Sequence, residues 1–120
     1  MSRAAVRREW LRMRDEVSAR AVANKASQET LLAMAERYRS LPEDERGIVD
    51  QLLSEQLASG DETVRFDSLA LIREFRIVAA LPALRALAKS LEEQQSPGAP
   101  YERAKVDRLI GALSERPAGE

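Results

Sequence analysis

The chain has 120 residues, a formal net charge of −1, no cysteine and no histidine. The length suits one domain with its own core. Without Cys there are no disulfides or thiolate metal sites, and without His there are no His-based triads and almost no transition-metal sites.

Any general acid or base would have to be Asp, Glu, Lys or Tyr. With 44% hydrophobic and 32% charged residues, the composition is that of a globular protein. No apolar run approaches the ~18 residues of a membrane span. The charge is uneven: residues 1–25 carry +4, residues 26–62 carry −6 and the remainder +1. Dedicated nucleic-acid binders show a global basicity that is missing here. Arg outnumbers Lys 16 to 3 and Ala is abundant, which fits a GC-rich bacterial genome. The start MSRAAVRREW is basic with no apolar core after it. No signal peptide is expected, the cytoplasm is the expected compartment, and Met1 is expected to be the natural N-terminus.

The spacing predicts six helices and no strand, over 3–22, 28–39, 42–58, 62–75, 80–94 and 100–115. In the first, Val6, Trp10, Met13, Val17 and Ala21 form one stripe. In the second, Leu31, Met34, Ala35 and Tyr38 do so. Ser40-Leu41-Pro42-Glu43 fits a capping box opening the third helix, whose stripe is Ile48, Val49, Leu52, Leu53 and Leu57. Gly60 is expected as a left-handed stop and Asp61 as the next cap. The fourth helix differs: Val64, Leu71 and Phe75 share a face, while Phe66, Leu69 and Ile72 spread onto others. It is therefore expected to be packed on several sides, in the interior of a stack. Pro82 belongs in a first turn, which puts a break near 77–80. Leu81, Leu84, Leu87, Ala88 and Leu91 mark the fifth helix. After the loop Ser96-Pro97-Gly98-Ala99-Pro100 comes the sixth, with Val106, Leu109, Ile110 and Leu113. Pro117-Ala118-Gly119-Glu120 is expected to be a frayed tail.

LAMAERYR (32–39) and LALIREFR (69–76) share three of eight residues and open two successive helix pairs, 28–58 and 62–94. Chance similarity within an Ala/Leu/Arg-rich helical chain is one explanation. An internal repeat of the α-solenoid kind is the other. The segment DETVRFDSLALIREFRIVAALPALRALAKSL (61–91) resembles a HEAT repeat, through Asp61, Val64-Arg65, Ala70, Leu71 and Ala80-Leu81-Pro82-Ala83-Leu84. Phe66 and Phe75 are bulkier than that pattern, and its Gly between the helices is missing. The resemblance implies an array that binds proteins, with Asp61 and Arg65 helping to pair neighbouring repeats.

Four features are candidates for chemistry. Arg3, Arg7 and Arg14 share one flank of the first helix and could hold phosphates; a solvated face on a capping helix explains them too. The acidic run at 42–46 could meet a basic partner, but acids in a first turn also complement the helix dipole. Asp50 and Glu55 lie beyond that explanation. Carboxylates occur throughout without a catalytic constellation. Tyr101, just inside the last helix, is expected in core-edge packing.

The expected fold is all-α: a short α-solenoid of about six helices, one domain over 1–116 with a short tail over 117–120. Two HEAT-like pairs lie between terminal capping helices. The competing fold is a six-helix bundle without repeat geometry. The expected function is non-enzymatic protein binding, as an adaptor or immunity-type inhibitor. The binding face is the polar side of the second helices: Arg46, Asp50, Ser54 and Glu55, then Arg85, Lys89 and Glu92. No cofactor, metal or catalytic residue is expected. The partner is another protein and not a membrane. The alternative is nucleic acid on the Arg-rich N-terminal helix.

Overall fold

The computed structural model describes residues 2–24 and 27–114, and the side chains of 2–17 and 30–114. The anticipated tail at 117–120 and the stripe position Ala21 lie outside these. The described residues are all-α, with six helices and no strand. The helices are α1 (Arg3–Asn24), α2 (Ser27–Ser40), α3 (Glu43–Gln56), α4 (Glu62–Glu74), α5 (Leu81–Glu93) and α6 (Ala99–Ser114). A single 3₁₀ turn, Val78–Ala80, leads into α5. No described helix is long and apolar enough to cross a membrane.

The chain forms two compact units, residues 1–52 and 53–120, with the boundary inside α3. In the first unit α1 packs along α2. Its buried residues include Val6, Trp10, Met34, Tyr38, Leu41 and Val49. Arg14 is buried with them at 8% exposure, while Met13 is half-buried. The buried line on α1 therefore runs 6, 10, 14 and takes in a cation.

In the second unit α5 packs along α6, and α4 also touches α6. Leu57, Leu71, Ile72, Leu84 and Val106 are among its fully covered side chains. Among the described residues the most extensive backbone contacts, α1 with α2 and α5 with α6, are not those within the anticipated pairs 28–58 and 62–94. The reason is that apolar spacing identifies a face, whereas the size of the side chains between two helices sets how near their axes come.

The ends of α3 and α4 correct two local expectations. Ser40 does not open α3; its hydroxyl donates back to the Arg37 carbonyl at 2.7 Å, closing α2. Gly60 supplies no left-handed stop. α3 instead tightens through Leu57, Ala58 and Ser59, whose N–H groups donate to carbonyls three residues back. Asp61 does cap α4: its Oδ1 accepts from Thr63 N at 2.9 Å and Val64 N at 3.4 Å.

At the other end of α4, Arg76 N–H donates to Arg73 O and Ile77 N–H to Ile72 O. This is a Schellman motif with Ile77 packed down beside its start, both isoleucines being buried. Its left-handed position, φ 49°, is filled by Arg76. An arginine thus takes the strained backbone position that glycine adopts freely.

Candidate protein-binding surface

The seven anticipated partner-binding residues divide between the units. In the first, Arg46 and Asp50 are turned to internal work. The Tyr38 hydroxyl donates to Asp50 Oδ1 at 2.6 Å. Tyr38 is buried and Asp50 half-buried. Burial raises the Asp50 carboxyl above its ordinary 3.8, although the Tyr38 bond and the Arg46 charge pull the other way. Burial, then the Asp50 hydrogen bond and charge, push the Tyr38 phenol well above its ordinary 10.0. Arg46 Nε donates to the Leu41 carbonyl at 2.9 Å, holding the turn between α2 and α3.

In the second unit Ser54 lines a groove of about 480 Å³ along α5, among Ala58, Ala83, Ala86 and Ser90. Glu55, Arg85 and Lys89 are exposed. Glu92 forms a 3.5 Å ion pair with Arg103 of α6. Among the described residues the one charged side chain lining the groove is Arg65, and it is committed elsewhere. Arg65 Nε and Nη2 donate to the two Glu102 oxygens at 2.8 and 2.9 Å, and Nη1 donates to the Ser59 carbonyl at 2.9 Å. The pair is largely shielded, with side chains 13% and 16% exposed, and it ties α4 to α6. The Glu102 bond is the chief reason the Arg65 guanidinium holds its proton more firmly still.

The basic head on α1 is less available than its composition implies. Arg14 is buried, so Arg3, Arg7 and Arg14 do not form one presented flank. Arg12 is clamped by Glu9 at 2.8 Å and Glu16 at 2.9 Å. The acids Glu43, Asp44 and Glu45 fill the first turn of α3, where the helix dipole accounts for them.

A different surface stands out, and it overturns two expectations. Phe66 is 51% exposed, so the side of α4 that it occupies is not packed as expected. Tyr101 is 72% exposed and is not a core-edge residue. Between α4 and α6 lies a groove of about 420 Å³. Leu69, Ala70, Leu109 and Ala112 line it, with Phe66 beside them. Arg73, Lys105 and Arg108 supply its charge. The Lys105 ammonium sits 5.3 Å from the Phe66 ring centre and 4.9 Å from that of Tyr101.

The sequence leads one to expect Phe66 and Leu69 in packing and Tyr101 at a core edge, while Arg73, Lys105 and Arg108 lie off the core stripes and raise no expectation. A signal was present. Tyr101, Lys105, Arg108 and Ala112 recur at i, i+4, i+7 and i+11, on the side of α6 away from Val106 and Leu113. On α4, Phe66, Leu69 and Arg73 recur at i, i+3 and i+7. No family model matches the chain, and no curated protein or solved structure matches it either.

Proposed function

We propose that the chain is a non-enzymatic protein-binding module, in which the α4/α6 face is the main contact surface. The observation that carries this is an apolar groove left uncovered within the second unit and edged by exposed aromatics and cations. Apolar surface rimmed by polar groups marks contact sites, and aromatic and Arg side chains are enriched there. Arg85 and Lys89 on α5 remain a second contact region. Asp50 is engaged by Tyr38, while Arg46 and Glu92 each hold an intramolecular partner and stay exposed at the surface.

The HEAT-like reading supports the same function. Arg65, the position expected to join neighbouring repeats, bonds across to α6. The close α5–α6 approach would then be the contact between successive pairs. In this reading the protein works as an adaptor or inhibitor inside the cell, and the Arg-rich α1 is a solvated cap.

The test is affinity capture from cell lysate, with nuclease present throughout. A retained protein that is lost with Leu69→Arg, but kept with the α1 variant Arg3→Gln/Arg8→Gln, supports the reading. Retention of nothing, or of nucleic acid lost with the α1 variant, overturns it. Circular dichroism melting confirms that Leu69→Arg is folded.

A further inference from the structure

We infer that the α4/α6 groove takes an acidic amphipathic helix from a partner protein, with apolar anchors on its floor and carboxylates against Arg73, Lys105 and Arg108. This inference rests on the protein-binding reading and names the chemistry of the partner.

Charge decides the sign of the occupant. Among the described residues, every charged side chain lining the groove is a cation, in a chain whose net charge is −1. Among the described residues no ion pair engages Arg73, Lys105 or Arg108. An incoming acid therefore meets uncommitted cations, and a basic segment meets like charge. Lys105 is also held in place over two rings, so little side-chain freedom is lost when a carboxylate reaches it.

The floor decides the kind of occupant. Leu69 and Leu109 are aliphatic, and the alanines at 70 and 112 open the middle of the groove. Such a floor accepts Leu-like anchors. Nucleic acid would need bare planar faces in succession, and the exposed rings here carry the Lys105 ammonium.

Length decides the shape. Phe66 to Arg73 covers two helical turns, ~10 Å at a rise of ~1.5 Å per residue. A docked helix of that reach presents anchors at i, i+3 or i+4, and i+7. Its flanking Glu or Asp residues then fall along the cationic edge.

The probe is a fluorescein-labelled synthetic helix with Leu at i, i+3, i+4 and i+7 and Glu on its flanks. Its twin carries Lys in place of each Glu. Anisotropy titrations use the full chain at physiological salt. The Glu peptide is expected to bind at least about tenfold more tightly than the twin. Arg73→Gln/Arg108→Gln should remove most of that difference, and the α5 variant Arg85→Gln/Lys89→Gln should leave it unchanged. Ala112→Trp, which fills the groove, should block the Glu peptide.

Equal binding of both peptides overturns the inference, as does a Glu-peptide affinity indifferent to Arg73→Gln/Arg108→Gln. Concentration-dependent self-association that vanishes in that variant overturns it in favour of a second copy. A single-stranded oligonucleotide or an anionic vesicle that binds through Arg73 and Arg108 while the Glu peptide does not also overturns it. If the Glu peptide fails while nuclease-resistant, Leu69-dependent capture persists, only this inference falls. If that capture is lost, the protein-binding reading falls as well.

Discussion

Helices α1 and α6 are both rich in cations, yet they spend them differently. On α1, Arg12 has an acid three residues before it and another four residues after it, and both close on it. Arg14 folds into the first unit's interior. On α6, Arg103 is similarly committed, to Glu92 and Asp107. Lys105 and Arg108 instead face a groove whose lining holds no acid among the described residues. The segment with the largest positive charge therefore presents only part of it: Arg12 and Arg14 are taken up, while Arg3 and Arg8 stay exposed, as Lys105 and Arg108 do on a near-neutral one. Availability depends on whether an acid stands at helical reach and whether the side chain's own face is buried.

The comparison can be sharpened by breaking committed charges and watching stability. The largest effect is expected at Arg65. Arg65→Ala strands Glu102, whose side chain is 16% exposed, and should cost about 2–3 kcal/mol in urea unfolding. The double variant Arg65→Ala/Glu102→Ala should recover part of the loss. A loss below about 0.5 kcal/mol would place this pair with ordinary surface pairs and erase the distinction.

Arg76 comes next. Arg76→Gly should raise stability by about 0.5–1 kcal/mol, because glycine adopts the left-handed backbone without strain. The weak bond from Arg76 Nη2 to the Ala112 carbonyl, 3.2 Å, is lost and offsets part of the gain. Arg76→Ala keeps the strain, loses the bond and should lower the midpoint instead.

Asp50 gives a smaller effect with a definite sign. Its folded pKa lies above the ordinary 3.8, so the folded state binds the proton more readily than the unfolded chain. Its contribution to stability is fully present below 3.8 and is lost as pH rises through the raised folded value. Relative to Asp50→Asn, the native chain should therefore gain stability on acidification across that window. A pH-independent difference between the two unfolding curves would rule this out.

Arg12→Gln should give the smallest effect. Its ion pairs to Glu9 and Glu16 are exposed, with side chains 38–59% accessible. Such pairs contribute little, so no measurable shift in the unfolding midpoint is expected. A clear shift would mean that α1 depends on its charge clamps, contrary to the comparison.

The helix positions were legible because apolar spacing and punctuation agree. Leu84, Leu87 and Leu91 repeat at helical intervals, all three are buried, and Pro82 marks the first turn. Asp61 was legible as a cap because a cap acts within three residues of itself. Ser40 misled because a serine between two helices can serve either, and its hydroxyl chose the Arg37 carbonyl behind it. Phe66 misled because an apolar residue off the core stripe suggests a second packing partner, and within the described residues its side remains half open. Asp50 misled because a carboxylate past the first turn looks free in one dimension. The Tyr38 hydroxyl that holds it comes from the preceding helix.

By itself, then, the sequence determined an all-α chain, the limits of its helices, most of its buried stripes and the Asp61 cap. These rest on interactions within a few residues, which the order of the chain encodes directly. Only the tertiary structure decided that Arg65 meets Glu102, 37 positions away, and that Phe66 and Tyr101 come to flank Lys105. It also gave α5 its most extensive backbone contact with α6. Those outcomes depend on which helix faces meet, and facing is settled by side-chain volumes from distant segments, which no local pattern contains.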